Sequence, residues 1–214
     1  ASDVYKRHAL HSEGEMPLPP YITETLSDPE RYQTTYSARP ASAAAPTAGL
    51  HLTTPLLEDL RRKGVKVVSV ELVVGLDTFR PVSSEQLEDH EIHSEFYSVP
   101  PQTWHEVTAT RASGAQVVAV GTTTVRALES VAHGGELSGH TDLFVTPGFE
   151  FQVVDRLMTN FHLPRSSLLA LVEAFVGARW RSLYSHALES DYRFLSFGDA
   201  MLLSRHTPAE GGPR

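Results

Sequence analysis

The segment LMTNFHLPRSS, residues 157 to 167, places an amide and an imidazole where a strand should end. Asn160 and His162 follow its apolar start, and Ser166 can cap the apolar helix behind it. Imidazole exchanges protons near neutral pH, and an amide both donates and accepts hydrogen bonds. The pair therefore suits acid–base catalysis and recognition of a polar ligand, with satisfaction of backbone groups at a buried turn as the alternative.

The densest group of titratable side chains is DHEIHSE, residues 89 to 95. His90 and His93 lie three positions apart, whereas the zinc-protease motif needs two histidines four apart on one helical face. A metal site would need a further ligand that the neighbouring sequence does not offer. We expect acid–base chemistry by a histidine here, with Glu95 beside it, and a solvated helix face is the alternative.

The turn APTAGLH, residues 45 to 51, brings small residues and a histidine ahead of a helix. Small side chains let a ligand approach the backbone closely. Thr47 and Gly49 are therefore candidate ligand contacts and His51 is a candidate acid–base group, although a plain turn explains the same pattern.

A second small-residue turn opens the stretch GTTTVRALES, residues 121 to 130. Free backbone N–H groups at a helix start, with nearby hydroxyls, favour an anion or a polar ligand. Gly121, Thr122 and Thr123 are the candidates, and an ordinary helix cap is the alternative. Arg126 in the first turns suggests an anionic partner, unless it pairs with Glu129. The stretch contains neither of the standard nucleotide-binding fingerprints.

The elements that must position these residues alternate between strands and helices. Caps, glycine stops and apolar periodicity predict helices over 55–63, 102–113, 123–132, 167–177 and 181–190. Apolar runs predict strands over 65–74, 116–120, 157–159 and 192–197. The runs 141–148 and 149–155 predict a further strand, a Pro-Gly turn and an alternating segment.

This alternation predicts an α/β fold with a largely parallel sheet sandwiched by helices. In such folds ligands bind beyond the carboxyl ends of the strands, where all the candidate turns are expected. Residues 1–44, rich in proline and polar side chains, predict an extended arm, and residues 45–214 an α/β catalytic-type domain.

The composition of the chain disfavours several classes of protein. The chain has 214 residues, 26 Asp plus Glu against 18 Lys plus Arg, and a net charge of −8, which disfavours a protein whose main task is gripping phosphate backbones. It has no cysteine, no apolar run long enough for a membrane helix and no signal-peptide pattern. We expect a cytoplasmic protein without a membrane partner.

Several long motifs resemble one known family. APTAGLH, DHEIHSE, VGTTTVRALES, TDLFVTPGFEFQVVDRLMTNFHLPRSSLLALVEAF and YRFLSFGDAM follow the order and spacing of the S-adenosylmethionine:tRNA ribosyltransferase-isomerases of queuosine biosynthesis. MPLPPYI and RYQTTYS fit as well, so the resemblance runs from about Met16 onward.

The resemblance implies an enzyme that moves the ribosyl part of S-adenosylmethionine to 7-aminomethyl-7-deazaguanine at the wobble position of tRNA. Adenine and methionine leave, and epoxyqueuosine forms. S-adenosylmethionine is then the co-substrate, without a metal, and the modified tRNA is the partner. Family members also carry an inserted β-barrel domain, which we expect to be missing from this chain.

Within that reaction we expect acid–base or orienting roles for His51, His93 and His162. The remaining candidates are expected to bind substrate: Thr47, Gly49, His90, Glu95, Gly121, Thr122, Thr123, Arg126 and Asn160.

Two positions depart from the family pattern LHVGxGTFxPV. Val73 replaces its histidine, and Asp77 replaces its second glycine. Valine transfers no proton, so a divergent relative that binds S-adenosylmethionine or a nucleoside without this chemistry is the main alternative. A non-enzymatic RNA-binding module is a further alternative, which the acidic charge disfavours.

Overall fold

The structure, a computed structural model, describes residues 18–38, 42, 44–74 and 94–206. The α-helices are α1 (Thr54–Arg62), α2 (Pro101–Ala112), α3 (Thr122–Ala132), α4 (Ser167–Val176) and α5 (Trp180–Glu189). The strands are β1 (Glu71–Val73), β2 (Glu95–Ser98), β3 (Val118–Val120), β4 (Ser138–Thr141), β5 (Arg156–Asn160) and β6 (Ala200–Ser204). Short 3-10 helices span Pro29–Tyr32, Thr47–His51 and Gly177–Arg179.

The helices follow the predicted boundaries closely because their start and stop signals are local. The Thr53 side chain accepts from the N–H of Leu56 at the start of α1, and the Ser166 side chain accepts from the N–H of Leu169 at the start of α4. Gly177, with φ +65°, ends α4 as expected. Among the described residues, no helix has both the length and the apolar character to cross a bilayer.

The strands form two small sheets instead of one. The first has the order β1-β2-β4, and both of its pairings are antiparallel. The second has the order β3-β5-β6, in which β3 and β5 are parallel and β6 is antiparallel to β5. The mixed α/β class is confirmed, but the prediction of a largely parallel sheet is wrong for the described residues.

The connection between β5 and β6 explains why these two strands are antiparallel. Between β5 and β6 the chain passes through two helices, α4 and α5, instead of the single crossover helix that yields a parallel neighbour. The second sheet is also not sandwiched in the described part of the chain, since Val118 is 50% and Leu202 59% exposed. The predicted absence of a barrel domain stays a prediction.

Several predicted strands are shorter or shifted. Of the run 65–74, only Glu71–Val73 pairs, and Val65, Val67 and Val68 are exposed. The runs 141–148 and 149–155 lie largely between β4 and β5, and 192–197 precedes β6. Apolar composition indicated burial in these runs, but it did not show which backbone groups would find a neighbouring strand.

The described part of the predicted arm contacts the rest of the chain. Tyr32 is 2% exposed and its ring packs edge-on against Phe197, with 5.7 Å between ring centroids. The Tyr21 hydroxyl lies 2.8 Å from the Ser196 hydroxyl. Tyr21 and Tyr32 thus contact the loop that precedes β6, and the boundary at residue 44 stays a prediction.

A buried carboxylate organises the segment that leads into β5. Glu129 of α3 is fully buried, and its oxygens accept from the backbone N–H groups of Gln152, Val153 and Val154 at 2.8, 3.1 and 3.0 Å. Charge-assisted hydrogen bonds of this kind offset the cost of burying the carboxylate. They also explain why residues 152–154 do not pair as a strand, because their N–H groups bond to a side chain.

Replacing Glu129 with glutamine tests this anchor. Glutamine offers one acceptor oxygen and turns an N–H₂ group toward the N–H donors, so Glu129→Gln should lower the free energy of unfolding by about 2–4 kcal/mol. Urea unfolding measures it, and Glu173→Gln on the more exposed face of α4 is the matched control. Equal stability of the two variants would remove Glu129 from this role.

Candidate functional site

The parallel pairing of β3 and β5 defines the edge at which candidate residues meet. Val120 pairs with Met158, and the next residue, Gly121, donates its N–H to the Met158 carbonyl at 2.8 Å. Both strands therefore end at the same edge, with the start of α3 following β3 and Asn160 closing β5. This is the carboxyl edge at which ligands collect in α/β folds.

Asn160 joins this edge to the APTAGLH turn. Its side chain is buried, its amide oxygen accepts from the Thr47 hydroxyl at 2.9 Å, and its amide nitrogen donates to the Asp199 carbonyl at 3.4 Å. The structure thus brings Thr47, Gly49 and Asn160 together, although they lie far apart in sequence. His51 ends the same turn, and its side chain is exposed.

Gly49 is small for a reason that the sequence did not reveal. A β-carbon at this position would lie 2.9 Å from Cζ of Tyr36 and 3.0 Å from Cγ2 of Thr34. The arm therefore covers the Gly49 backbone. A role for Gly49 in substrate binding stays a prediction.

His162 lies on the opposite side of β5 from Asn160. Its Nε2 is 2.8 Å from the hydroxyl of Thr159, a residue only 1% exposed that alternates with Asn160 along the strand. Its backbone N–H donates to the Tyr184 hydroxyl at 3.0 Å. Burial lowers the pKa of His162 to about 4, so the imidazole is neutral at physiological pH.

Arg126 and Glu95 form an ion pair that connects α3 to β2. Their side chains are 11% and 6% exposed, and the Arg126 guanidinium also donates to the carbonyls of Leu143 at 3.0 Å and Thr141 at 3.2 Å. The anionic partner suggested by the sequence is therefore Glu95 within the chain, and Glu129 bonds elsewhere. Substrate contacts by Arg126 and Glu95 stay predictions.

The remaining candidates divide between the site and the residues that are not described. Thr122 is buried and Thr123 half-buried in the first turn of α3, at the shared edge. His90 and His93 lie outside the described residues. Within the described ranges, no group of three or more His, Cys, Asp or Glu side chains is arranged to hold a metal ion.

Three residues at the site were missed from sequence. Thr159 and Tyr184 hold His162, and Asp199 holds the amide of Asn160. The position of Asp199 in the motif YRFLSFGDAM was the available signal for one of them. Tyr184 and Thr159 read as ordinary helix and strand residues, and only the fold identifies their partners.

The lowered pKa of His162 predicts a pH-dependent stability. Between pH 6.5 and about 4 the unfolded chain binds the proton and the folded chain does not, so the free energy of unfolding falls as the pH falls through this window. The contribution should be roughly 1–3 kcal/mol, reduced because the ring is only half-buried. Unfolding of His162→Gln should depend less on pH there, while exposed His105→Gln should match the original chain. An unchanged pH profile in His162→Gln would contradict the assignment.

The contact between Gly49 and Tyr36 predicts a coupling between the arm and the turn. Gly49→Ala should lower the free energy of unfolding by about 1–3 kcal/mol, because the new methyl group forces the Tyr36 ring to move. The same change in a Tyr36→Ala background should cost much less. Thermal or urea unfolding of the four variants gives the coupling energy, and equal costs in both backgrounds would show that the two residues are not in contact.

Comparisons with known proteins agree with the motifs. Residues 4–203 match the family model described as queuosine biosynthesis protein. The S-adenosylmethionine:tRNA ribosyltransferase-isomerase of Staphylococcus epidermidis is 52% identical over 195 residues, which cover 89% of this chain and 57% of that protein. The crystal structure of the S-adenosylmethionine tRNA ribosyltransferase from Thermotoga maritima matches with a TM-score of 0.62 and 48% identity, covering 72% of this chain and 50% of the other.

The chain therefore spans about half the length of the relatives it matches. The family model covers nearly all of its residues, and both relatives carry the name to which its motifs pointed. This chain belongs to the queuosine biosynthesis protein family.

Proposed function

We propose that this chain supplies the α/β part of an S-adenosylmethionine:tRNA ribosyltransferase-isomerase. The observation that carries the proposal is the 52% identity to the Staphylococcus epidermidis enzyme over 89% of this chain. The proposed reaction moves the ribosyl portion of S-adenosylmethionine onto 7-aminomethyl-7-deazaguanine in tRNA and gives epoxyqueuosine.

The reaction requires a base, polar groups that bind the charged parts of the substrate, and a pocket that excludes water. The sulfonium acidifies the neighbouring C5′ hydrogens, so a positioned base can remove a proton there. The attacking amine must be neutral, and adenine leaves more easily when a donor stands near it. No metal is needed for these steps.

Among the described residues, we propose His51 as the base. It ends the turn whose Thr47 bonds to Asn160, and its side chain is exposed. His162 is held in a neutral state on the other side of β5, so we assign it an orienting role. His93 and His90 remain proposed members of the same group.

The start of α3 suits the methionine carboxylate. Thr122 and Thr123 offer backbone N–H groups and hydroxyls at a helix N-terminus, where the dipole attracts negative charge. The Gly121 N–H is already bonded to the Met158 carbonyl, so we propose that Gly121 contributes a close backbone approach to the ligand. Arg126, one turn further on, is neutralised by Glu95. We therefore propose that this ion pair fixes α3 against β2 while the first turn contacts the ligand.

The proposed partner is a tRNA that carries the deazaguanine precursor at the wobble position, and the proposed place of action is the cytoplasm. The net charge of −8 implies that this chain by itself binds the phosphate backbone of tRNA only weakly. Because it spans about half the length of its relatives, we assign most tRNA contacts to the part of those proteins that it does not match.

Release of adenine tests the proposed function. The full-length protein, incubated with S-adenosylmethionine and tRNA containing 7-aminomethyl-7-deazaguanine, should release adenine and methionine in equal amounts, and tRNA with ordinary guanine should give neither. His51→Gln should lower kcat by about 10²-fold with little change in KM, the range expected for loss of a general base. His105→Gln, on the exposed face of α2, is the matched control. Calorimetric binding of S-adenosylmethionine without any release would contradict the proposed reaction.

A further inference from the structure

The buried amide of Asn160 connects three segments that the chain brings from different places. Asn160 ends β5, Thr47 begins the 3-10 turn Thr47–His51, and Asp199 directly precedes β6. The amide lies between the latter two, and the residue as a whole is 3% exposed. A substitution at Asn160 therefore affects both flanking segments at once.

The orientation of the amide follows from the partners. The Asp199 carbonyl can only accept a hydrogen bond, so the amide nitrogen must face it at 3.4 Å. The amide oxygen then faces Thr47 and accepts from its hydroxyl at 2.9 Å. One partner needs a donor and the other an acceptor. Asparagine supplies both, whereas ionised aspartate lacks the donor and leucine lacks both.

The turn that Thr47 opens is held internally by short backbone hydrogen bonds. The N–H of Gly49 donates to the Pro46 carbonyl at 2.7 Å, and the N–H of Leu52 donates to the Gly49 carbonyl at 3.0 Å. Ala48 and Gly49 are buried, whereas His51 at the end of the turn is exposed. A turn this short and bonded moves as a unit, so a bond at Thr47 fixes the position of His51.

We propose that Asn160 is a positioning residue that acts through Thr47 to hold His51 at the shared edge of β3 and β5. The inference rests on the proposed function, in which His51 is the base. It assigns to Asn160 a role distinct from substrate contact, since its amide oxygen and nitrogen both have partners within the chain. Loss of the Thr47 hydroxyl should therefore impair turnover more than binding.

The test compares Thr47→Val, which removes the hydroxyl but keeps the shape, with Thr47→Ser, which keeps the hydroxyl. Thr108→Val is the matched control, because its hydroxyl bonds to carbonyls within α2. The first measurement is the nuclear magnetic resonance spectrum of the His51 ring, assigned by its disappearance in His51→Gln. The second is kcat and KM for S-adenosylmethionine in the adenine-release assay.

We expect Thr47→Val to shift the His51 ring signals and to lower kcat about fivefold to tenfold, with KM changed less than about twofold. Thr47→Ser should restore both, and Thr108→Val should change neither. In a His51→Gln background, Thr47→Val should cause no further loss of kcat, because its effect passes through the missing ring. If Thr47→Val does not fold, Thr47→Ala removes the same hydroxyl with a smaller side chain.

The inference would be overturned if Thr47→Val lowered kcat in the His51→Gln background by the same factor as in the original protein. Unchanged His51 ring signals in Thr47→Val would overturn it as well. Absence of turnover in the original protein would instead refute the proposed function. The ring signals would still decide the positioning role, because they do not depend on activity.

Discussion

The parallel pairing of β3 with β5 is the constraint on which the site depends. It makes two strands end at one edge, and the hydrogen bond from the Gly121 N–H to the Met158 carbonyl extends the register to the start of α3. An antiparallel pairing of these strands would place Asn160 and Gly121 at opposite ends of the sheet. The antiparallel entry of β6 does not disturb this edge, because it brings Asp199 beside Asn160.

Polar groups buried at this edge and beneath it are matched to their partners. Asn160 has an acceptor for Thr47 and a donor for Asp199, and Glu129 meets three backbone N–H groups. Each unmatched buried polar group would cost about 1–3 kcal/mol. Burial lowers the pKa of His162 and keeps its ring, which contacts the Thr159 hydroxyl, in the neutral form.

The sequence predicted best those features that depend on interactions between residues close together in the chain. Caps such as Thr53 and Ser166 act within one helical turn, so the helix starts were predicted correctly. Strand partners depend on distant segments, and the apolar run 65–74 could not show that only three residues would pair. At the site, the motifs predicted that Thr47 and Asn160 share an edge. They could not predict that His162 turns to the other side of β5, because strand alternation stops before that residue.

The central claim is that separate connections form one ligand site at the carboxyl edge of β3 and β5. Hydrogen–deuterium exchange with and without S-adenosylmethionine tests it most directly, because it reports each segment separately. The account predicts slower exchange at residues 47–52, 121–125 and 159–162 together, with helix α2 unchanged. Protection confined to one of these segments, or located elsewhere on the chain, would contradict a shared site.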